Sequence, residues 1–241
     1  MQKFVRMVLG LFASLGVFLS LGACQLGQTA CNVSVAEIIV IRGINYLPGN
    51  DVPDYRLTGT TITPAELGPV FDTINATIGG CTPPPQGNFS SFLPVGTKLY
   101  TIKGYQPSFR LAVKQPTPGQ NQPISLLEAV KNPHATNGSE VMQLDHKVMS
   151  ILLYSRNGSV SLTTPPLATV RAPQQVAKLV ALFDQAPVNT SGDTGSMSDL
   201  LVFRFNDNTL SSLLYDPATG WTSRNVILPS TFASLLMSKS T

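Results

Sequence analysis

The chain has 241 residues, a formal net charge of +3, 43% hydrophobic residues and only 12% charged residues. Nineteen prolines and nineteen glycines interrupt it at short intervals. This composition excludes coiled coils, long-helix bundles, acidic disordered tails and strongly basic nucleic-acid-binding proteins, because each needs long uninterrupted helices or a large excess of one charge.

The N-terminus has the form of a secretory signal. Lys3 and Arg6 precede an uncharged apolar stretch, residues 7–21, which ends in Leu21-Gly22-Ala23-Cys24. A charged start, an apolar centre and small residues before a cleavage site describe a signal peptide. The last four residues resemble the lipobox of bacterial lipoproteins, which implies a diacylglyceryl group on Cys24 and removal of residues 1–23. The alternatives are an uncleaved signal anchor and an ordinary secreted protein.

A lipid on Cys24 decides where the mature chain resides. Acyl chains anchor a protein stably without a transmembrane helix, so we expect it on the extracytoplasmic face of the cell membrane. Removal of residues 1–23 leaves 14 basic and 13 acidic residues, a formal charge of +1. We expect residues 24–31 to be a tether, residues 32–165 a β-rich part and residues 166–241 an α+β part, which either stand apart or pack as one unit.

Two further cysteines remain once Cys24 carries lipid. Cys31 and Cys81 are free to pair outside the cytoplasm, where disulfides persist. A bridge would close a loop of about 50 residues and stabilise the fold by roughly 4 kcal/mol in the chain-entropy model. We therefore predict a disulfide between them, with two buried free thiols as the alternative.

The N-terminal part contains several strand signals. Residues 35–46 are rich in β-branched side chains and predict one strand. Thr63-Pro64-Ala65-Glu66 has the form of a capping box, and the stretch up to residue 76 fits either a helix or a strand. Residues 95–105 and 109–114 predict two more strands. Asn157-Gly158, between apolar residues 148–154 and 160–163, predicts a hairpin.

The C-terminal part is more regular. Pro173 opens a predicted helix whose apolar residues recur at helical spacing: Val176, Leu179, Val180 and Phe183. Residues 200–205 and 210–215 predict a hairpin, residues 221–228 a third strand, and Ser230 the cap of a last helix. The predicted fold class is α+β and β-rich, with antiparallel hairpins and a C-terminal helix, three-stranded meander and helix.

One longer pattern carries a resemblance. Leu93-Pro94-Val95-Gly96-Thr97-Lys98-Leu99-Tyr100, with the C-terminal helix–meander–helix pattern, resembles uncharacterised envelope lipoproteins of Gram-positive-type bacteria. The resemblance implies strands at residues 67–74 and 125–130 and an extracytoplasmic location. It carries over no catalytic residue, because no activity is known for the group.

The sequence shows none of the motif spacings of common catalytic or metal sites. His134 and His146 are twelve residues apart with no ligand pattern around them, so we predict neither a metal site nor a cofactor. Asp145-His146-Lys147 fits a solvated turn better than an acid–base pair, and Asp193 and Asp199 fit a polar loop better than a calcium loop. We assign no catalytic residue, and whether the chain is an enzyme stays open, with a non-catalytic protein favoured.

The charges are segregated along the chain. No acidic residue lies between Asp72 and Glu128, whereas residues 184–216 carry five aspartates and one arginine. The basic residues in the first gap are Lys98, Lys103, Arg110 and Lys114. Such segregation shapes the electric field, and we predict that these four residues face an anionic partner, either lipid headgroups or an envelope polymer. The alternatives are an ordinary solvated strand face and attraction between the two halves of the molecule.

These features predict a non-catalytic binding or accessory module of the cell envelope, held at the membrane through Cys24. The alternatives are an envelope hydrolase with an unrecognised site, which needs a polar pocket containing a perturbed carboxylate or His146, and a structural protein-interaction module.

Overall fold

The computed structural model describes residues 37–48, 62–79, 83–114, 124–155, 165–190 and 196–238. Cys24, Cys31, Cys81 and the Asn157-Gly158 turn lie outside these ranges, so their predictions stay predictions. The first sheet contains β1 (Ile39–Ile41), β2 (Ile44–Pro48), β3 (Leu67–Thr73), β4 (Ala76–Thr77), β5 (Phe89–Ser90), β6 (Lys98–Ile102), β7 (Arg110–Lys114) and β8 (Ile124–Lys131). The second contains β9 (Val148–Ser155), β10 (Ala168–Val170), β11 (Asp199–Phe205) and β12 (Leu210–Tyr215). The helices are α1 (Gly138–Val141), α2 (Pro173–Gln185) and α3 (Ser230–Met237), with a 3-10 turn at Pro64–Glu66.

The first sheet curls round into a barrel. Its strand order is β3-β6-β7-β8-β2-β1-β5-β4, so β3 and β4 are the two edges. A flat sheet of this width would separate its edges by roughly 30 Å. Thr73, the last residue of β3, and Ala76, the first of β4, are only three residues apart in the chain, a reach of about 10 Å. The end of β3 and the start of β4 therefore lie close together, although no ladder joins the two strands, so the barrel stays open along this seam. The inward side chains form an apolar core that includes Ile39, Leu99 and Leu127.

The single strand predicted at residues 35–46 is wrong, because the chain folds there into the β1–β2 hairpin. Arg42 and Gly43 form the two-residue turn with φ of 52° and 80°. Positive φ at both central residues is the geometry that joins two tightly paired antiparallel strands. An arginine adopts positive φ only at a cost in free energy. The β-branched residues on either side of it predict a continuous strand rather than a turn.

The open choice between helix and strand up to residue 76 is decided in favour of strand. Only Pro64–Glu66 is helical, and the Glu66 carboxylate accepts hydrogen bonds of 2.7 Å from both the backbone N–H and the hydroxyl of Thr63. β3 follows at once and tolerates Pro69 because it is an edge strand whose pairing with β6 is interrupted by bulges. The strands implied at residues 67–74 and 125–130 are confirmed by β3 and β8.

The second sheet has the order β10-β9-β11-β12 and is antiparallel throughout. α2 and α3 cover one of its faces, where Leu179 and Phe183 of α2 are buried with Phe203 and Phe232. The predicted helix at Pro173, the hairpin of β11 and β12, the final helix and the β-rich α+β class are confirmed. β9 precedes residue 165, so this sheet draws strands from both sides of the expected division. The described residues all belong to one compact unit.

The third strand predicted at residues 221–228 is wrong. The segment turns back on itself, with Trp221 bridged to Ile227 and with Asn225 at a positive φ of 62°. The Thr222 hydroxyl donates to the Val226 carbonyl at 2.9 Å, which closes the turn. The turn directs Arg224 into the interior, and this burial of a charged residue overrides the strand pattern around it. Ser230 is the first residue of α3, and Pro229 occupies the cap position.

Candidate functional site

The structure separates the four predicted patch residues. Lys98 and Lys114 are exposed and lie at the same end of the β6–β7 pair, whose register aligns the neighbouring residues Leu99 and Val113. The Lys114 ammonium lies 5.2 Å from the ring centre of Tyr100. Lys103 is exposed beyond the other end of β6, where its ammonium donates to the Ala65 carbonyl at 2.8 Å. Two lysines therefore share one end of the barrel, and the third is about 16 Å away along the strand.

The prediction that Arg110 belongs to this surface patch is wrong, because its side chain is completely buried. Its guanidinium donates to the Glu128 carboxylate at 2.6 and 2.9 Å, to the Thr209 hydroxyl at 2.6 Å and to the Leu210 carbonyl at 2.9 Å. The rings of Tyr105, Phe109 and Phe205 lie within 4.8 Å of the guanidinium carbon. Arg110 thus occupies an internal cation site lined by aromatic rings rather than a surface position.

Glu128 is the centre of a buried ion cluster that we call the Arg–Glu–Arg cluster: Arg110, Glu128 and Arg224. Arg224 donates to Glu128 at 2.7 Å and to the carbonyls of Ala129 and Ser212 at 2.9 and 3.3 Å. Burial would raise the pKa of Glu128, but the two guanidinium groups outweigh it and hold the pKa below its usual range. The arginines also satisfy carbonyls of β12, an edge strand, so the cluster joins the barrel to the second sheet and is structural.

The aspartates of residues 184–216 have different roles in the structure. Asp207 accepts a hydrogen bond of 2.6 Å from the Tyr105 hydroxyl and so links the two halves of the molecule. Asp216 accepts from the Ala218 N–H and the Thr219 hydroxyl and closes a turn. Asp199 is buried in β11, and Asp193 lies outside the described residues. Asp184 is different, because it opens into a groove.

The groove runs along α2 and has a volume of about 450 Å³. One wall is a single face of α2, and the other is the segment from Leu144 to Met149. The helix residues that line it follow helical spacing: Pro173, Val176, Ala177, Val180, Ala181 and Asp184. Leu144, Val176 and Val180 form a buried apolar floor, while Met149 is 51% exposed at the rim. A concave, largely apolar site with a few polar groups is the usual form of a ligand site.

The acidic end of the groove contains Asp184, Asp145 and His146. Burial, and then the nearby carboxylate of Asp145, raise the pKa of Asp184 to about 6. Its Oδ1 atom is buried and has no hydrogen-bond partner among the described residues. Asp145 is exposed and pairs with His146 Nε2 at 3.2 Å, with the imidazole pointing into solvent. This end offers carboxylate oxygens in a partly apolar setting, which suits an ammonium group.

Sequence reasoning identified the parts of this groove but not the site. The sequence predicts a solvated turn at Asp145 and His146, which their exposure supports, and it marks Asp184 only as one charge of the acidic stretch. The available signal was the place of Asp184 in the last turn of a predicted helix, where the partial charge of the helix end is negative and an acidic side chain is unfavourable.

Within the described residues no group of three or more histidine, cysteine, aspartate or glutamate side chains is placed to hold a metal ion. The same part of the chain contains no helix long and apolar enough to span a membrane. Comparison of the chain with known protein families, with curated proteins and with solved structures found no match.

Proposed function

We propose that the protein is a lipoprotein of the cell envelope, anchored through Cys24 on the extracytoplasmic face of the membrane, and that it binds a small ligand in the groove along α2 without transforming it. The signal at residues 1–24 and the resemblance to envelope lipoproteins support the anchor. The groove supports the binding role, and its acidic end is the observation on which the ligand chemistry rests.

The charge at the acidic end specifies that ligand. Asp184 lines this end of the groove, and a carboxylate in a partly apolar setting attracts a cationic group. Above pH 6 the group is mostly ionised, and its neighbour Asp145 adds a second negative charge. The ligand is therefore a primary ammonium compound with an apolar part that covers Val176 and Val180.

Isobutylammonium and the matched neutral probe isobutanol test this function. The full chain in detergent solution should bind the ammonium probe more tightly at pH 7.5, and Asp184→Asn should remove the difference between the two probes. The matched control is Lys178→Met, an exposed position of α2 outside the groove, which should leave both affinities unchanged. Equal affinity of the two probes in the unmodified chain would rule out this ligand class.

The carboxyl group of Asp184 also supports a second candidate function, an envelope hydrolase. A pKa of about 6 places Asp184 near the range in which a general acid or base works best. Release of soluble fragments from purified cell-wall material, lost in Asp184→Asn, would establish this activity in place of simple binding.

A second contact with the envelope is proposed for the Lys98 and Lys114 end of the barrel. Two lysines at one end of a strand pair repel each other unless an anion lies between them. Binding to vesicles containing anionic lipid at low salt should weaken in Lys98→Glu with Lys114→Glu, but not in Lys178→Glu. Lys103 is too far away to contribute to the same contact, so Lys103→Glu should have little effect.

A further inference from the structure

The Lys98 and Lys114 end of the barrel also carries exposed apolar side chains. Val95 is 60% exposed, more than any other large apolar side chain in the described part of the chain, and Phe92 is 38% exposed. Both belong to the loop that joins β5 to β6 and ends directly before Lys98. Apolar residues next to basic ones are the combination with which a protein surface binds a lipid bilayer.

The loop holds Val95 at the tip of a tight turn. The Thr97 hydroxyl and N–H donate to the Pro94 carbonyl at 2.7 and 3.2 Å, and Gly96 has the positive φ of 88° that a type II turn needs at its third residue. On the other side of the turn, Leu93 is buried in the apolar core of the barrel. The turn and the burial of Leu93 therefore fix Val95 in its exposed position.

The chain enters the barrel at this same end. The Ile38 N–H donates to the Ser91 hydroxyl at 2.9 Å, and the Ser91 N–H donates to the Ile38 carbonyl at 3.0 Å. Ser91 directly precedes Phe92, so the start of β1 lies beside the exposed loop. A lipid on Cys24 would thus tether the molecule by the end of the barrel that carries Val95.

The charge of this end suits an anionic membrane. Asp72, near the end of β3, is paired with Arg42 at 2.9 Å. Glu37, just before β1, is then the acidic residue that remains against the exposed Lys98 and Lys114 in the described part of this end. The two lysines lie on neighbouring strands, and anionic headgroups between them would relieve their repulsion.

The groove along α2 lies at the other end of the barrel. The loop that joins β6 to β7 is at the opposite end of this strand pair from the exposed loop. Its Gln106 N–H donates to the side-chain carbonyl of Gln143 at 2.7 Å, and the ring centre of its Tyr105 lies 5.0 Å from the Lys147 ammonium. Gln143 and Lys147 adjoin or belong to the groove wall at residues 144–149. The barrel therefore separates the groove from the exposed loop.

We propose that the Lys98 and Lys114 end of the barrel rests on the membrane, with Val95 and Phe92 among the lipids, and that the groove along α2 consequently faces away from the membrane. This inference rests on the proposed anchor at Cys24 and adds the orientation of the whole molecule. The groove then takes its ligand from the aqueous side of the envelope rather than from the bilayer.

Quenching of tryptophan fluorescence by brominated lipid tests this orientation. The lipidated chain is reconstituted in nanodiscs of phosphatidylcholine and phosphatidylglycerol, with or without bromine on the acyl chains. Trp221→Phe removes the one native tryptophan, and Val95→Trp or the matched control Lys103→Trp, at the other end of β6, is added to it. Brominated lipid should lower the fluorescence at position 95 at least twofold and leave position 103 unchanged.

Charge reversal separates contact of this end with the bilayer from simple tethering. Lys98→Glu with Lys114→Glu, added to Val95→Trp, should abolish the quenching while the protein still elutes with the nanodiscs. Lys178→Glu should preserve the quenching. Equal quenching at positions 95 and 103 would overturn the orientation. So would no quenching at position 95, whether this end binds a wall polymer or joins two copies of the chain.

Failure of the inference differs from failure of the proposed function. A chain that elutes with the nanodiscs but shows no quenching at position 95 keeps the anchor and overturns the orientation. A chain that does not elute with the nanodiscs overturns both the anchor and the orientation. Binding of isobutylammonium in the groove is measured independently of either result.

Discussion

Arg110 shows how much one buried charge contributes to this fold. Replacing it with methionine keeps most of the volume but leaves Glu128 paired only with Arg224 in a site that excludes water. Breaking a buried ion pair from one side costs about 3–5 kcal/mol, a large share of the stability of a typical domain. We expect Arg110→Met to lower the urea midpoint strongly.

Arg204→Met is the matched control for Arg110→Met, because Arg204 is exposed and has no ion-pair partner in the described residues. It should change the free energy of unfolding by less than about 0.5 kcal/mol. Equal loss in the two variants would show that the Arg–Glu–Arg cluster does not hold the two sheets together.

Asp184 makes stability depend on pH in the direction opposite to most carboxylates. Its pKa is raised from 3.8 to about 6, so the folded state binds the proton more tightly than the unfolded state. The contribution to stability is present below pH 4 and is lost as the pH rises through 6. Asp145 and His146 face the same end of the groove, and only Asp145 adds to the shift.

Asp184→Asn should therefore raise the melting temperature at pH 7.5 and leave it unchanged at pH 4. The gain should be about 2 °C, because the partial exposure of Asp184 screens the effect. Asp207→Asn provides a control of opposite sign, since hydrogen bonds from Thr209 and Tyr105 outweigh burial and lower the pKa of Asp207. If Asp184→Asn raised the melting temperature equally at pH 4 and pH 7.5, the raised pKa of Asp184 would not be the cause.

At the scale of elements, α1 holds the acidic wall of the groove against the end of α2. Gly138 N–H donates to the Ala186 carbonyl at 2.9 Å, and a side-chain carbon at Gly138 would overlap the Phe183 carbonyl oxygen. Gly138→Ala should cost about 1–3 kcal/mol, because the backbone of α2 must shift. It should also weaken ligand binding, since residues 142–146 follow α1 directly.

Gly79→Ala is the control for Gly138→Ala. A side-chain carbon at Gly79 meets no atom within 4 Å. Thermal unfolding followed by circular dichroism should show a change near zero for this variant, or a small gain from the reduced freedom of the unfolded chain. Similar losses in the two variants would show that close contact between α1 and α2 is not the cause.

Elements whose pattern is local were predictable, and those decided by distant partners were not. The spacing of Val176, Leu179, Val180 and Phe183 determines which face of α2 is buried, and the hairpin of β11 and β12 needs only its own turn. By contrast, the strand expected at residues 221–228 fails because Glu128, almost a hundred residues earlier, binds Arg224.

The candidate site follows the same rule. Asp184 belongs to a predictable helix, and its unfavourable place at the negative end of the helix dipole is visible in the sequence. Asp145 comes from a loop segment that only the folded chain brings to the last turn of that helix. The curling of the first sheet is likewise not predictable from the sequence, because it depends on the order of all its strands.

At the scale of the whole molecule, the location depends on Cys24. Mass spectrometry of the mature protein should find that residues 1–23 are absent and that the new N-terminal cysteine carries a diacylglyceryl group. Cys31→Ala should be processed in the same way, whereas Cys24→Ala should not be lipidated. An intact Met1 or an unmodified thiol at Cys24 would overturn the anchor without affecting the groove.

The account as a whole depends on the groove along α2 being the ligand site. The most direct measurement is an amide-resolved NMR titration of the full chain in detergent with isobutylammonium. We predict that the perturbed amides cluster in residues 144–149 and in residues 173–185. Perturbations confined to the Lys98 and Lys114 end of the barrel, or none at millimolar isobutylammonium, would contradict it.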